Sequence, residues 1–424
     1  MMNPVKQTVK LSDVRFDESV YPRQQHDPQL VQQYAENMEA IEAAGHYICV
    51  AQDMRLVDGR HRHLAYLTLY LDDHDHEVQA YVYPITGDND VFALACELNS
   101  DAGWQMTPGD KQHACVRLYR DYKYTQEEIA KSLKVRKEKV VSWLQAVLDD
   151  EKKQREAKMW EMWLSCHSPK EIAPMVDVVE RTVQAFVQEN AVKFQGNDSA
   201  LFRDFDPQVY TVWNFSKLTN KTTVFGSIPQ EIIDNLLYYY TEPFNVVFDP
   251  FGGGGSTIDV CKSRKRRHYV SDLSPIPARS DIRQWDITSG LPDDLPVPDL
   301  VFLDPPYWKQ AESKYSSKET DLSNVPLEQF LSTIAEIAKT VKRKWNNSRP
   351  KARLALIIGP WKDDGHYLDL PFLCYEQISK YLALDVRIQV PYSTEVHGGN
   401  YVKMAKEKKE LLYLTRDLMV FKQE

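Results

Sequence analysis

The sequence predicts a chain of three parts: a small α/β unit over residues 8–88, an all-α region over 89–192, and a doubly wound α/β domain over 208–424. Three observations predict it. From about residue 208 onward, apolar strands alternate with helical stretches (FNVVFDP, HYVSDL, DLVFLDPP, ARLALIIG, DVRIQVPY, DLMVFKQ), as in a sheet with helices on both faces. A run of glycines follows the first of those strands directly, where such a fold turns from strand to helix. Between residues 90 and 190 strand signals are scarce, and two segments repeat the rhythm of a helix-turn-helix.

In order along the chain, VKLSDVRF opens the first unit, and YPRQQHDPQLVQQYAENMEAI carries apolar residues at helical spacing. YICVAQDMRLVDG reads as two short strands around a turn, followed by the helix HRHLAYLTLYL and the strand VQAYVYPI. In the helical region, YTQEEIAKSLKVRKEKVVSWL sets Ile129, Ala130 and Leu133 against Val135, Val140, Val141 and Leu144 in a small three-helix core. LSCHSPKEIAPMVDVVERTVQAFV repeats the plan with Ile172, Ala173, Val176, Val178, Val183 and Phe186. Each opens on a polar residue with Glu in the first turn, as a capped helix does. One such pair is as readily a plain helical hairpin. Two in tandem favour DNA contact, with recognition helices beginning near 136–139 and 180–182 and with Arg136, Lys137, Lys139 and Arg181 as candidate contacts. KFQGNDSALFRDFD, 193–206, reads as a linker.

Bulk properties bound the function. With 424 residues, 43% hydrophobic and 27% charged, the chain is an ordinary globular protein of two or three domains. No apolar run approaches the roughly 20 residues of a membrane span, and the N-terminus lacks a signal-peptide core. The six cysteines form no CxxC pair, which argues against a zinc knuckle or disulfide framework and fits a reducing cytoplasm. A net charge of −9 argues against a protein that merely coats nucleic acid, though not against a local basic face. Three basic runs, at 262–268, 342–353 and 403–409, read first as solvated surface.

The chemistry concentrates in the C-terminal part. In NVVFDPFGGGGSTIDV a strand ends at Asp249, Pro250 and Phe251 lead into the glycines, and Ser256 and Thr257 open a helix. Glycines such as Gly252, Gly253 and Gly255 let backbone turn tightly and approach a ligand, and a helix N-terminus offers free N–H groups. The next strand ends at Asp272, about where such folds hold a ribose diol, and Asp286 follows where it can reach an adenine amino group. The bland alternative is three surface acids capping loops. The fourth strand, expected to end beside the second, runs into Asp304, Pro305, Pro306, Tyr307 and Trp308. An exocyclic amino nitrogen attacks poorly because its lone pair is delocalised into the ring. The Asp304 carboxylate and the Pro305 carbonyl are two acceptors that draw on both its N–H bonds and stabilise the charge it develops. The prolines stiffen the backbone, and Tyr307 offers a face for a base taken out of its stack.

These residues make the C-terminal part similar to the amino-group DNA methyltransferases, whose DPFxGxG and (D/N/S)PP(Y/F/W) motifs match 249–255 and 304–307. The resemblance covers roughly 208–424 and implies a Rossmann-like domain that uses S-adenosylmethionine to methylate adenine N6, or alternatively cytosine N4. It implies that 225–243 holds the donor's methionine part and that Asp272 and Asp286 take its ribose and adenine. About fifty residues separate the two motifs, so no recognition domain is inserted there, and 308–325 and 393–410 are the segments free to touch bases, Trp308 among them. Residues 8–88 resemble the ParB/sulfiredoxin-like domain through LVDGRHRHLAY, and ALACELNSDAGWQMTPGDKQHA continues the likeness into a ParB-type central domain. The resemblance implies a nucleotide-phosphate turn at Gly59, Arg60, His61 and Arg62. The box lacks the Glu of the ParB pattern, which points to binding or a structural role rather than hydrolysis. The histidines of HRH and DDHDH read as phosphate contacts or surface, not as metal ligands. The expected protein is thus a cytoplasmic DNA methyltransferase acting on double-stranded DNA, compatible with a homodimer and with a phage or mobile element. The alternative from another class is a non-catalytic ParB-like DNA-binding protein whose methyltransferase fold senses a ligand. Deleting 1–190 is expected to weaken DNA binding and spare donor binding.

Overall fold

The computed structural model describes residues 3–23, 26–73, 75–100, 106–196, 198–215, 228–309, 316, 318–363, 366–391 and 399–424. Parts of 225–243, 308–325 and 393–410 therefore lie outside the described residues. The chain divides into two compact units, Met1–Gln154 and Arg155–Glu424.

In the first unit, β1 (Val5–Lys10), β2 (Ile48–Ala51), β3 (Leu56–Asp58) and β4 (Glu77–Tyr83) form one sheet in the order β1-β4-β2-β3. Strand β4 is antiparallel to β1 and parallel to β2. Helices α1 (Pro28–Glu36), α2 (Met38–Ala43) and α3 (Arg60–Leu69) cover it, with Ile48, Val50, Leu56, Tyr66 and Ala80 in the core. Helices α4 (Asp88–Leu98), α5 (Pro108–Arg120), α6 (Gln126–Ser132) and α7 (Lys137–Leu164) follow. Thr125 and Glu128 close a reciprocal cap on α6. Ile129, Leu133, Val140 and Leu144 are fully buried together; Ala130 and Val135 pack against them, and Val141 is half-buried. Helix α7 runs twenty residues beyond Leu144 because no Gly or Pro interrupts it before Leu164.

The unit boundary falls inside α7, so the helices read together over 89–192 are shared between the two units. In the second unit, α8 (Pro169–Met175) and α9 (Glu180–Val192) bury Ile172, Ala173, Val176, Val183 and Val187 against Met159 of α7. They are followed by α10 (Asp198–Leu201), α11 (Gln230–Tyr240), β5 (Val246–Asp249), α12 (Ser256–Ser263), β6 (Arg267–Asp272), β7 (Arg283–Gln284), β8 (Leu300–Leu303), α13 (Leu327–Trp345) and β9 (Arg353–Ile358). A short hairpin, β10 (Trp361–Asp363) and β11 (His366–Leu368), precedes α14 (Leu370–Ile378), β12 (Ala383–Pro391), α15 (Gly399–Lys408) and β13 (Thr415–Lys422). The described strands pair in the order β12-β13-β9-β8-β5-β6-β7. Strands β5 to β9 run parallel, whereas β13 is antiparallel to both β9 and β12.

The central strands are apolar on both sides, as a sheet covered on both faces requires. Phe248, Val301, Leu303, Leu354 and Leu356 face α13, while Val247, Leu300, Phe302, Ala355 and Ile357 face α11. One expectation about the order is corrected. Strand β8 pairs with β5, the first strand of the domain, not with the second; Val247 lies opposite Leu300 and Phe248 opposite Val301. The two motif strands are thus direct neighbours.

The basic run 262–268 is also not a solvated face. Arg264 is buried on Asp204 and Asp234, at 2.6 and 2.7 Å, and Arg266 is buried on Asp198 at 2.7 Å. Lys262 pairs with Glu161, and Arg267 donates to the Trp163 carbonyl with its guanidinium over the indole. Arg283 donates to the Ser165 carbonyl, and Trp160 and Trp163 pack on Phe244. The charges hold the end of α7 and the segment around α10 to the sheet. No described helix is long and apolar enough to cross a membrane.

Candidate active site

Strand β5 delivers Asp249 into the interior, where Thr257 Oγ1 donates to it at 2.5 Å and the Phe251 N–H at 2.8 Å. Burial pushes its carboxyl up to about 7 against those two donors. Asp249 therefore ties the strand end to both the glycine loop and the first turn of α12. The loop lies hard against the next strand: the Gly252 N–H reaches Ser271 O at 2.8 Å, and a Cβ there would stand 2.6 Å from Val270 Cγ1. Gly255, with φ +82°, caps α12; a Cβ there would stand 2.2 Å from Arg279 Cζ. Arg279 donates to the Gly254 and Gly255 carbonyls and pairs with Asp259 and Asp281. No sequence motif pointed to it, yet it clasps the loop.

Asp272 accepts from the Gly253 N–H at 2.9 Å and from the Ser274 N–H at 2.8 Å, so its carboxylate shapes the loop as well as lining the cleft. Burial raises the Asp286 carboxyl, but hydrogen bonds from Thr288 and Thr320 more than offset it and hold it below the usual range. Three loop N–H groups, those of Gly252, Gly253 and Gly255, are bonded within the chain. The loop is thus a close-packed turn rather than a phosphate cradle.

Strand β8 ends beside β5 and presents Asp304, Pro306 and Tyr307 to the same cleft, while Pro305 is buried. Burial pushes the Asp304 carboxyl up to about 7, opposed by the Arg416 charge and reinforced by Asp249. Arg416 Nη1 donates to the Tyr307 hydroxyl at 3.3 Å. Trp308 is corrected from a DNA contact to a core residue: only 5% exposed, it donates from Nε1 to Val325 O at 2.8 Å. An exposed hydrogen-bonding face is what a base contact needs, and this indole has neither edge free.

Beyond Trp308, the described residues of 316–325 fold back over the cleft. Lys318 reaches Leu273 O at 2.7 Å, and the buried Asp321 accepts from Ser316 and Ser323. The cleft, partly open to solvent, lies between the acids Asp249, Asp272, Asp286 and Asp304 and the apolar walls Phe251 and Trp285. Four acids and a loop with few free donors disfavour a phosphate-bearing nucleotide. They suit a nucleoside with hydroxyls to donate and a positive charge to neutralise.

The remaining predicted residues divide between the units. At the start of α7, Arg136 and Lys139 are exposed, Lys137 pairs with Glu127, and Lys139 lies over Trp143. Arg181 is exposed in the first turn of α9. At the turn into α3, Gly59 has φ +88°, and Arg62 is spent on Asp58 and on the Tyr47 carbonyl at 2.9 and 2.6 Å. Arg60 stacks on Phe16, and His61 Nε2 accepts from the Asp27 N–H; burial pushes His61 down to about 4.

A family model described as "DNA methylase", for the N6/N4 type, matches residues 97–275, a span that takes in the glycine loop and Asp272. A search of curated proteins returned no match. Among solved structures, TrmN from Thermus thermophilus is similar at 17% identity and a TM-score of 0.31, covering 47% of this chain and 50% of its own. The chain thus spans about half the length of that protein. A type I restriction-modification methyltransferase subunit from Streptococcus thermophilus is similar at 13% identity and a TM-score of 0.26, over 93% of this chain and 79% of its own. The partitioning protein ParB from Caulobacter crescentus, complexed to the parS site, is similar at 12% identity and a TM-score of 0.25, over 43% of this chain and 99% of its own. Over residues 97–275, then, the chain carries the sequence pattern of the N6/N4 DNA methylases.

Proposed function

We propose that the chain methylates an exocyclic amino group of DNA from S-adenosylmethionine, with adenine N6 as the acceptor ahead of cytosine N4. One observation carries the reading: Asp249 and Asp304 end adjacent parallel strands, so the donor loop and the Asp304 carboxylate line one cleft. Asp272 and Asp286 supply carboxylates for the donor's ribose and adenine, Phe251 and Trp285 supply apolar walls, and the four acids suit its cationic centre. When bound, S-adenosylmethionine supplies a methyl group made electrophilic by its sulfonium.

Asp304 and the Pro305 carbonyl accept the two amino protons, which moves the nitrogen lone pair out of ring conjugation and toward the methyl carbon. One N–C bond forms as the sulfonium S–C bond breaks, and the surplus amino proton leaves through Asp304 toward solvent. Only the carboxylate can accept, so activity rises with pH through the Asp304 titration near 7. Tyr307 provides the ring on which a flipped base stacks.

For the duplex, two regions supply cations: Arg136, Lys137 and Lys139 in the first unit, and α15 in the second. Lys403, Lys406, Lys408 and Lys409 of the 403–409 run are exposed. The test is a nucleoside digest, read by mass spectrometry, of unmethylated DNA incubated with the protein and labelled donor. N6-methyladenine or N4-methylcytosine names the reaction, and Asp304→Ala must abolish it. Folded wild-type protein that binds donor yet yields neither nucleoside would end the proposal.

A further inference from the structure

Residue 416 sits on β13, the antiparallel strand, whose following positions Leu418 to Phe421 are buried. Its residue is nonetheless 5% exposed. Its neighbour Asp417 does not account for it, because that carboxylate is taken by Arg387 through two bonds of 2.8 Å. What Arg416 reaches instead is the proposed catalytic motif: Nη1 donates to the Tyr307 hydroxyl at 3.3 Å, and its charge acts on Asp304. A buried cation is costly unless opposite charge and hydrogen bonds compensate. A strand serving the fold alone would bury an apolar residue there, as β13 does at its next positions.

We propose that Arg416 is a positioning residue for the amino-group chemistry, holding the Tyr307 ring by its hydroxyl and keeping Asp304 in the carboxylate form that accepts the amino proton. The inference rests on the methyltransferase reading of the cleft. Two charged groups bear on Asp304, Arg416 from β13 and Asp249 from β5, and they pull in opposite directions. The two jobs are separable: the phenol contact needs a donor at the right place, and the ionisation needs only the charge.

The experiment is the pH profile of kcat at saturating donor and duplex DNA for wild type, Arg416→Met, Arg416→Lys and Tyr307→Phe, with donor affinity measured by calorimetry. Loss of a nearby opposite charge raises a carboxyl by roughly one to three units. Arg416→Met should therefore move the acidic limb alkaline by at least about one unit. That lowers kcat at pH 7 by at least about fivefold, with recovery by about pH 9 and unchanged donor affinity. Arg416→Lys should keep the limb in place while lowering kcat at every pH. Tyr307→Phe should leave the limb unmoved. An acidic limb that stays put in Arg416→Met overturns the proposal, as does full recovery at all pH values by lysine alone. If the methionine variant fails to fold, Arg416→Gln replaces it on the same criteria. Wild type without any methylated nucleoside would refute the underlying function instead, a result distinct from an active wild type with an immovable limb.

Discussion

Replacing Arg266 with methionine separates two readings of the 262–268 run, as a DNA face or as an internal staple. Arg266 is fully buried. It donates to Thr241 Oγ1 at 2.9 Å, to Thr241 O at 2.8 Å, and to Asp198 and the Arg264 carbonyl at 2.7 Å. Methionine keeps much of the stem's packing and removes all of these bonds. Two buried carbonyls then lose their donor, at about 1–3 kcal/mol each. Asp198, whose side chain is 36% exposed, is partly rescued by water, so its share is small. The sum is about 3 kcal/mol, at the lower edge of what breaking a buried pair costs. For a domain of this size that is a fall in Tm of roughly 6–12 °C. Thermal unfolding by circular dichroism reads it, and Lys351→Met, whose ion pair to Glu242 is exposed, serves as the unmoved control. DNA binding measured across salt concentrations, well below the transition, should keep its slope. A variant that retains its Tm but loses about one unit of salt slope would return Arg266 to the DNA face and refute the reasoning.

Gly255→Ala should weaken donor binding at least roughly tenfold in calorimetry, because a φ of +82° costs an L-residue about 1–2 kcal/mol and the new methyl displaces Arg279 from the loop. The Asp304 carboxyl is raised above its unfolded value, so the folded state holds a proton that the unfolded state has released; its contribution to stability falls as pH climbs from about 4 to about 7. Asp304→Asn should accordingly gain more urea stability over wild type at pH 8 than at pH 5, and an equal gain at both would contradict the burial. Removing Met1–Gln154 should spare donor affinity, whereas removing 1–190 also strips Trp160, Trp163 and Val183 from the second unit and should yield unstable protein. Changing Lys403, Lys406, Lys408 and Lys409 together to Gln should cut the salt slope of DNA binding by up to about 3–4 units and leave donor affinity alone.

What could be read from the sequence was chemistry confined to a few neighbouring positions. The glycine run announces itself because Gly252 and Gly255 have no room for a Cβ, and the acid-proline-proline-aromatic stretch because few other jobs combine those four side chains. Helix starts such as Thr125 with Glu128 were equally plain, since the cap closes within one turn. The failures share a different physics. Arg264 and Arg266 look like surface charge until Asp198, Asp204 and Asp234, some 30 to 68 residues away, come to meet them. Trp308 looks like a DNA contact until Val325 takes its N–H. Even the neighbour of β8 was misjudged, because strand order is decided by how crossovers pack rather than by any one strand's residues. Arg279 and Arg416 went unnoticed for the same reason: each is a lone cation in its own segment and acquires its role from a loop or motif distant in sequence. The atoms proposed to touch donor and base are therefore written locally, while those that hold them in place are written across the fold. Arg416 is where that division can be tested, through its donation to the Tyr307 hydroxyl and its charge near Asp304.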